Sequence, residues 1–282
     1  MVLSLTGPRA VAAGCLLALL GGAAAVRAAA GDGTVRAVAP AASVAAQVPR
    51  ASQDQRVPAA APAPEGLPKI DYFGVPDGFP EDRDARSTAR LVEALHPERK
   101  LAVYDAPGGR PRAFLPRRIS GLEVVVPIVQ KRAGWVAVLL PSANRRVGWL
   151  PGAGWSPRAI RDQLVVKGHR LTWLRDGRLQ QAWTVATGAK ATPTPYGRTF
   201  VLGRTGTRGS VYAGLDALVL GAVPEKRENL APGLRDGHTG IHAWTHPAAF
   251  GRSVSNGCIR MPAAAQRTLL RHLGAGTTVH VG

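Results

Sequence analysis

Cysteine is nearly absent from this chain of 282 residues, which contains only two. Cys15 lies in an N-terminal apolar stretch, and Cys258 lies close to the C-terminus. If the N-terminal stretch is removed on export, no intramolecular disulfide can form. Structural cysteines outside the cell are usually paired. The shortage of cysteine therefore makes Cys258 the first candidate for a chemical role.

Aromatic and acidic residues are also scarce. Aromatic residues make up 5% of the chain, and 18 acidic residues stand against 36 basic ones, for a net charge of +18. The scattered arginines and the lack of any helix-turn-helix, zinc-finger or RNA-binding signature argue against a nucleic-acid partner. A net charge of this size indicates the kind of partner that the protein attracts, and it does not indicate the fold. We expect an anionic cell envelope to be the partner.

Long hydrophobic runs are limited to the N-terminus. Arg9 precedes an apolar run over residues 10–26, and small residues follow at 28–30. This order is typical of a signal peptide, predicted over residues 1–30. Because the run is short for a membrane span, an uncleaved N-terminal membrane anchor is the alternative. Either interpretation predicts an exported protein of the cell wall or a periplasm-like space.

The composition divides the rest of the chain. Residues 31–69 are rich in alanine and proline, which predicts a flexible linker. Residues 70–97 read as a short connecting segment, with a helix predicted over 87–95 and ended near Pro97. Two β-rich domains are predicted to follow, over residues 98–158 and 162–282.

Short apolar runs separated by turn residues characterise the first of these domains. This pattern predicts strands and a small barrel. The runs are 101–104, 113–115, 123–129, 135–140 and 147–150. Segments 103–108, 134–138 and 147–151 resemble bacterial SH3-like wall-associated domains. Trp135 and Trp149 are expected to belong to the core of this barrel.

The second domain is predicted to be β-rich with one C-terminal helix. Its strands are predicted at 164–166, 170–174, 179–187, 198–202 and 279–281, and Asp176-Gly177 is a strong hairpin turn. The helix is predicted to begin near Pro262 and to end before Gly274. Its apolar side carries Leu269, Leu270 and Leu273. The fold class is therefore mainly β, a small SH3-like barrel followed by a β-sandwich-type domain.

The residues around Cys258 are suited to nucleophilic catalysis. His242 lies upstream to accept or exchange the thiol proton, and Arg260 supplies a cation that favours a thiolate. Gly257 permits a sharp turn, and the amides of Gly257 and Cys258 are candidate oxyanion donors. Ser255 is expected either to hydrogen-bond within this loop or to orient the histidine.

The motif resembles the signature of the L,D-transpeptidases, the YkuD-like family. Residues 241–242 and 251–261 carry the specific part of the resemblance, and residues 176–177, 185–188 and 192–200 support it. The resemblance implies Cys258 as nucleophile and His242 as proton donor and acceptor. It places Ser255, Asn256 and Gly257 in the loop before the nucleophile and makes Arg260 an active-site cation.

Two positions depart from the family pattern. Many members have histidine where Asn256 stands, and many have Gly-Thr where this chain has Ala243-Trp244. The first departure weakens the case for a second assisting imidazole, and the second is expected to reshape the donor pocket. Tyr196 and Trp244 are candidates for lining a substrate groove, with packing under loops as the alternative.

The resemblance implies a two-step reaction on peptidoglycan stem peptides. The thiolate displaces D-alanine to form a thioester, and an amine of a neighbouring stem then forms a 3-3 crosslink. No cofactor is required, because the thiolate and oxyanion donors supply the chemistry. The alternatives are an L,D-carboxypeptidase, a protein-anchoring transpeptidase, or a non-catalytic wall-binding protein. We expect a monomer.

A zinc site is the remaining alternative for this region. His238, His242 and His246 are spaced four residues apart, which would align them on a helix or a strand. The surrounding glycines and proline disfavour a helix, and a strand would place the three too far apart for one ion. We therefore expect no metal and interpret His238 and His246 as loop residues.

Overall fold

The computed structural model describes residues 57–282. The predicted signal peptide with Cys15, and residues 31–56 of the predicted linker, lie outside the described residues. Residues 57–282 are mainly β, as predicted, and contain one α-helix. None of the helices in this part has the length and apolarity needed to cross a membrane.

The first sheet has seven antiparallel strands. Their order is β3-β2-β8-β7-β6-β1-β9, and β4 pairs with β5 in a separate ribbon. The strands are β1 (Glu93–Pro97), β2 (Leu101–Tyr104), β3 (Pro111–Leu115), β4 (Arg118–Ile119), β5 (Leu122–Glu123), β6 (Val126–Arg132), β7 (Trp135–Leu139), β8 (Val147–Pro151) and β9 (Trp155–Ala159). Strands β2, β3, β7 and β8 match four of the predicted strands, and β6 begins three residues later than the strand predicted over 123–129. The SH3-like assignment stays a prediction.

The second sheet has eight strands. Their order is β12-β11-β10-β19-β14-β15-β16-β18, and β13 pairs with β17 beside it. The strands are β10 (Asp162–Lys167), β11 (Arg170–Arg175), β12 (Arg178–Thr184), β13 (Thr187–Gly188), β14 (Gly197–Thr205), β15 (Ala217–Leu220), β16 (Gly240–Ala243), β17 (Ser253–Ser255), β18 (Ile259–Met261) and β19 (Thr278–Val281). Within this sheet, β10 pairs with β19 and β16 with β18 in parallel.

The turn and the helix predicted in the second domain are both present. Asp176 and Gly177 have φ values of 50° and 77°, as a two-residue hairpin turn with both central residues left-handed requires. Helix α1 spans Ala263–His272, with Pro262 at its N-cap. Its residue Leu269 is fully buried. Apolar burial therefore holds this helix against the sheet.

The predicted helix over residues 87–95 is wrong. Residues 87–92 have no regular structure, and β1 begins at Glu93. β1 pairs with β9 along its length and with β6 at Ala94 and Leu95. Both of these side chains are fully buried. Pairing on two edges and burial of the strand centre outweigh the weak local helical preference.

The two sheets share apolar packing. Phe200 and Leu202 of β14 are fully buried in the same cluster as Leu95, Leu115 and other residues of the first sheet. A buried ion pair adds a polar connection between the segment before β1 and β14. Arg198 donates to Asp82 through Nε at 2.5 Å and through Nη2 at 2.6 Å.

Candidate active site

The parallel pairing of β16 and β18 creates the site. Ile241 lies opposite Ile259, and both are fully buried in the core of the second sheet. His242 lies opposite Arg260. Because strand side chains alternate between faces, these two project away from that core. Cys258 precedes β18 at the position that shares the Arg260 face.

A pocket of 180 Å³ collects these side chains. It brings together five of the predicted site residues, His242, Trp244, Asn256, Cys258 and Arg260. Residues sixteen positions apart in the sequence thus line one cavity because two short strands lie side by side.

The Cys258 side chain is half-buried. Burial raises the pKa of its thiol, while a hydrogen bond from the Gly240 backbone and the nearby Arg260 charge both lower it. Burial is the largest of these influences. The predicted thiolate-favouring groups are therefore present, but they do not outweigh burial, so the pKa of the thiol lies above its ordinary value.

His242 is buried and held by a backbone carbonyl. Its Nδ1 lies 2.8 Å from the carbonyl oxygen of Ala243. Because that oxygen can only accept, Nδ1 carries the hydrogen and Nε2 keeps its lone pair. Burial lowers the pKa of His242, and the Arg260 charge acts in the same direction. The ring is thus a neutral base at neutral pH.

Ser255 organises the loop before Cys258. Its hydroxyl donates to the Cys258 carbonyl at 2.5 Å and accepts from the Gly257 N–H at 3.2 Å. Thr192 Oγ1 donates to the Ser255 carbonyl at 2.9 Å. The first of the two predicted roles therefore describes this serine, because its hydroxyl bonds within the loop rather than to His242.

The loop leaves one amide free beside the sulfur. The Gly257 N–H is engaged by Ser255 Oγ, so only part of the predicted amide pair remains available. The Cys258 N–H makes no hydrogen bond within residues 57–282. Gly257 has a φ of 105°, a backbone conformation that favours glycine. Asn256 is exposed at the mouth of the pocket.

The Arg260 guanidinium lies over the Trp244 ring. The guanidinium carbon is 3.8 Å from the centre of the indole ring. Arg260 Nε is buried and has no hydrogen-bond partner in the described part of the chain. This contact places a cation at the pocket wall.

Tyr196 does not belong to this pocket. It is exposed, and the Arg145 guanidinium carbon lies 4.0 Å from its ring centre. Arg145 Nη1 also donates to the Tyr196 carbonyl at 3.2 Å. The predicted groove residue is therefore packed against an arginine elsewhere on the surface.

Sequence reasoning missed two aromatic contacts of the pocket. The Tyr212 ring meets the His242 ring edge-on, with centroids 4.9 Å apart. His238 lines the pocket, and its Nδ1 and Nε2 lie 2.5 and 2.7 Å from the carbonyl oxygens of Leu220 and Tyr72. Tyr212 stands in a 3₁₀ turn without apolar periodicity, so no pattern marked it.

The remaining wall comes from residues 224–237, which include two 3₁₀ turns, Arg227–Asn229 and Pro232–Leu234. Pro224, Leu230 and Leu234 give this wall an apolar character. No cluster of three or more His, Cys, Asp or Glu side chains that could hold a metal occurs among residues 57–282.

Comparison with known families assigns this part of the chain. Residues 163–281 match the model of the YkuD L,D-transpeptidase catalytic domain. This match confirms the resemblance that the motif around Cys258 carries. Comparison with curated proteins gives no match.

Solved structures of L,D-transpeptidases are similar to the chain at low identity. One from Mycobacterium smegmatis is 13% identical, with a TM-score of 0.39 over 68% of this chain and 100% of that one. The catalytic domain from Enterococcus faecium is 20% identical, with a TM-score of 0.31 over 44% and 96%. An L,D-transpeptidase solved with imipenem is 15% identical, with a TM-score of 0.38 over 80% and 100%.

Proposed function

We propose that the protein is an exported cysteine L,D-transpeptidase that forms 3-3 peptidoglycan crosslinks through a thioester on Cys258. The observation that carries this proposal is the shared pocket of Cys258, His242 and Arg260 inside a YkuD catalytic domain. The net charge of +18 suits work at an anionic envelope.

The first step of the proposed reaction makes the acyl-enzyme. His242 Nε2 takes the Cys258 thiol proton as the sulfur attacks the carbonyl before the terminal D-alanine of a stem peptide. The free Cys258 N–H donates to the oxyanion. The carbon–nitrogen bond then breaks, D-alanine leaves with the proton from His242, and a thioester remains.

The second step transfers the acyl group. The amine of a neighbouring stem attacks the thioester carbonyl, and His242 accepts the proton released from the nitrogen. The carbon–sulfur bond breaks, and the sulfur regains a proton. Arg260, stacked on Trp244, is placed to bind an anionic group of a stem peptide.

The test is incubation of the purified protein with a disaccharide-tetrapeptide, followed by mass spectrometry. We expect free D-alanine and a crosslinked dimer, and neither with Cys258→Ala. Leu179→Ala, an exposed position on β12, is the matched control and should retain activity. Accumulation of tripeptide alone would identify an L,D-carboxypeptidase instead, and a protein conjugate in envelope extracts would identify an anchoring transpeptidase.

Exposure to imipenem separates the enzyme from a non-catalytic wall-binding protein. We expect intact-mass analysis to show one imipenem adduct on the wild-type protein and none on Cys258→Ala. Binding to sacculi without adduct or turnover would overturn the proposal. The mass of the secreted protein would also show whether the predicted signal peptide has been removed.

A further inference from the structure

One face of the first sheet carries an aromatic cluster that the proposed catalytic site does not use. Tyr104, Trp135 and Trp149 pack together on the adjacent strands β2, β7 and β8. The Tyr104 and Trp135 rings meet edge-on, with centroids 5.1 Å apart. We call these three residues the aromatic groove.

The proline-rich segment 57–64 lies across the aromatic groove. Trp135 Nε1 donates to the Pro58 carbonyl at 2.9 Å, and the Tyr104 hydroxyl donates to the Ala61 carbonyl at 2.7 Å. Ala61 also packs against the cluster. The polar atoms of two groove side chains are therefore satisfied by the backbone of this segment.

The spacing of the two accepting carbonyls indicates how the segment is bound. Pro58 and Ala61 are three residues apart, and a polyproline II helix has three residues per turn, so their carbonyls point the same way. The segment reads Val-Pro-Ala-Ala-Ala-Pro-Ala-Pro and forms neither helix nor strand. Aromatic side chains with a free N–H or O–H are the usual partners of such helices.

The turns beside the aromatic groove leave room for this segment. A Cβ on Gly134 would lie 2.8 Å from Val57 Cγ1, and a Cβ on Gly108 would lie 2.8 Å from Pro58 Cβ. Both glycines also have positive φ, which favours glycine in the turn itself. The close approach of Val57 and Pro58 is a second reason why these two positions require glycine.

We propose that the aromatic groove is a recognition site for polyproline II peptides, which this chain fills with its own residues 57–64. The ligand class is an alanine- and proline-rich peptide that offers two backbone carbonyls three residues apart. This inference does not depend on the proposed catalytic function. It implies that residues 57–64 are docked on the first sheet.

Proteolysis of the full chain tests the docking. Elastase cleaves after small residues such as those at 59–61, and docking should protect them. Tyr104→Phe removes the hydroxyl that donates to Ala61 while keeping the ring. We therefore expect cleavage after residues 59–61 to accelerate about tenfold, as loss of one good hydrogen bond implies. Tyr72→Phe, outside the groove, is the control and should match wild type. Equal cleavage in Tyr104→Phe and wild type would overturn the proposal.

A peptide titration tests recognition as opposed to simple packing. In the full chain with Pro58→Gly and Pro62→Gly, the Trp135 indole N–H resonance should shift because the segment is released. An acetylated peptide with the sequence of residues 57–64 should return the resonance toward its wild-type position. A peptide with alanine in place of each proline should not. If the proline peptide leaves the resonance unchanged at millimolar concentration, the groove is not a recognition site.

Discussion

At the scale of single residues, the pKa values of Cys258 and His242 determine which of the two side chains carries the proton. Burial raises the pKa of this thiol and lowers the pKa of His242. Both shifts favour the neutral pair over a thiolate–imidazolium pair. In the proposed mechanism, the nucleophile is therefore generated only as the substrate reacts, with His242 Nε2 as the acceptor of the proton.

This pairing predicts the pH dependence of alkylation by iodoacetamide. Because the thiol pKa lies above its ordinary value of about 8.5, the rate at Cys258 should still be rising between pH 8 and 10. Peptide mass spectrometry after timed quenching measures the rate at this single cysteine. A plateau already reached at pH 7 would show a preformed thiolate and contradict the neutral pair.

The charge of Arg260 lowers the pKa of both Cys258 and His242. This charge favours the thiolate of Cys258 and disfavours protonation of His242. In Arg260→Met, the thiol pKa should rise further, and alkylation at pH 8 should slow. Tyr196→Phe, outside the pocket, leaves this electrostatic environment unchanged and serves as the control for the same measurement.

At the scale of elements, the turn between β17 and β18 positions the sulfur. Ser255 closes this turn by bonding to both Gly257 and Cys258, and Gly257 adopts a φ of 105°. In Gly257→Ala, the turn would hold alanine in a positive-φ conformation that its Cβ disfavours, at a cost of about 1–3 kcal/mol. Movement of about 1 Å at a reacting atom can lower a rate about a hundredfold.

We therefore expect Gly257→Ala to lower kcat about tenfold or more in the D-alanine release assay while the protein stays folded. Gly274→Ala is the matched control, because its φ is not positive and open space surrounds the position. Unchanged kcat in Gly257→Ala would show that the turn tolerates a side chain and does not set the position of Cys258.

Sequence patterns predicted the elements that have strong local signals. The alternation in β10 and β11, the Asp176-Gly177 turn and helix α1 were all readable, because each is specified by its own residues. β1 was missed, since its conformation depends on pairing with β6 and β9, which lie far along the chain.

The candidate site, like the fold, was predicted only where a local sequence motif marks its residues. The motif around Cys258 and the upstream His242 pointed to the pocket, whereas Tyr212 reaches it only through the fold of residues 205–216. Tyr196 shows the converse case, because a residue within the family motif packs against Arg145 instead. Parallel pairing of β16 and β18 joins distant segments, and no local pattern encodes that register.

At the scale of the whole molecule, the two sheets are coupled by shared burial. Phe200 and Leu202 on β14 pack in the core of the first sheet, so β14 serves both sheets. Removal of the first sheet would expose these side chains. The predicted domain boundary at 158–162 therefore runs through a continuous apolar contact, and the described residues 57–282 fall within one compact unit.

The buried ion pair of Asp82 and Arg198 also connects the segment before β1 to β14. The side chains are 3% and 7% exposed, and the two hydrogen bonds are bidentate. Removing one partner of a buried pair leaves the other charge uncompensated, which costs about 3–5 kcal/mol. Asp82→Ala should therefore lower the free energy of unfolding by about that amount, as measured by urea denaturation.

Two variants separate the ion pair from general loss of packing. Asp84→Ala removes an exposed carboxylate 3.9 Å from Arg198 and should change stability by less than about 1 kcal/mol. The double variant Asp82→Ala with Arg198→Met removes both charges, so it should recover most of the stability lost by Asp82→Ala. If the double variant is less stable than Asp82→Ala, the loss comes from packing and not from a stranded guanidinium.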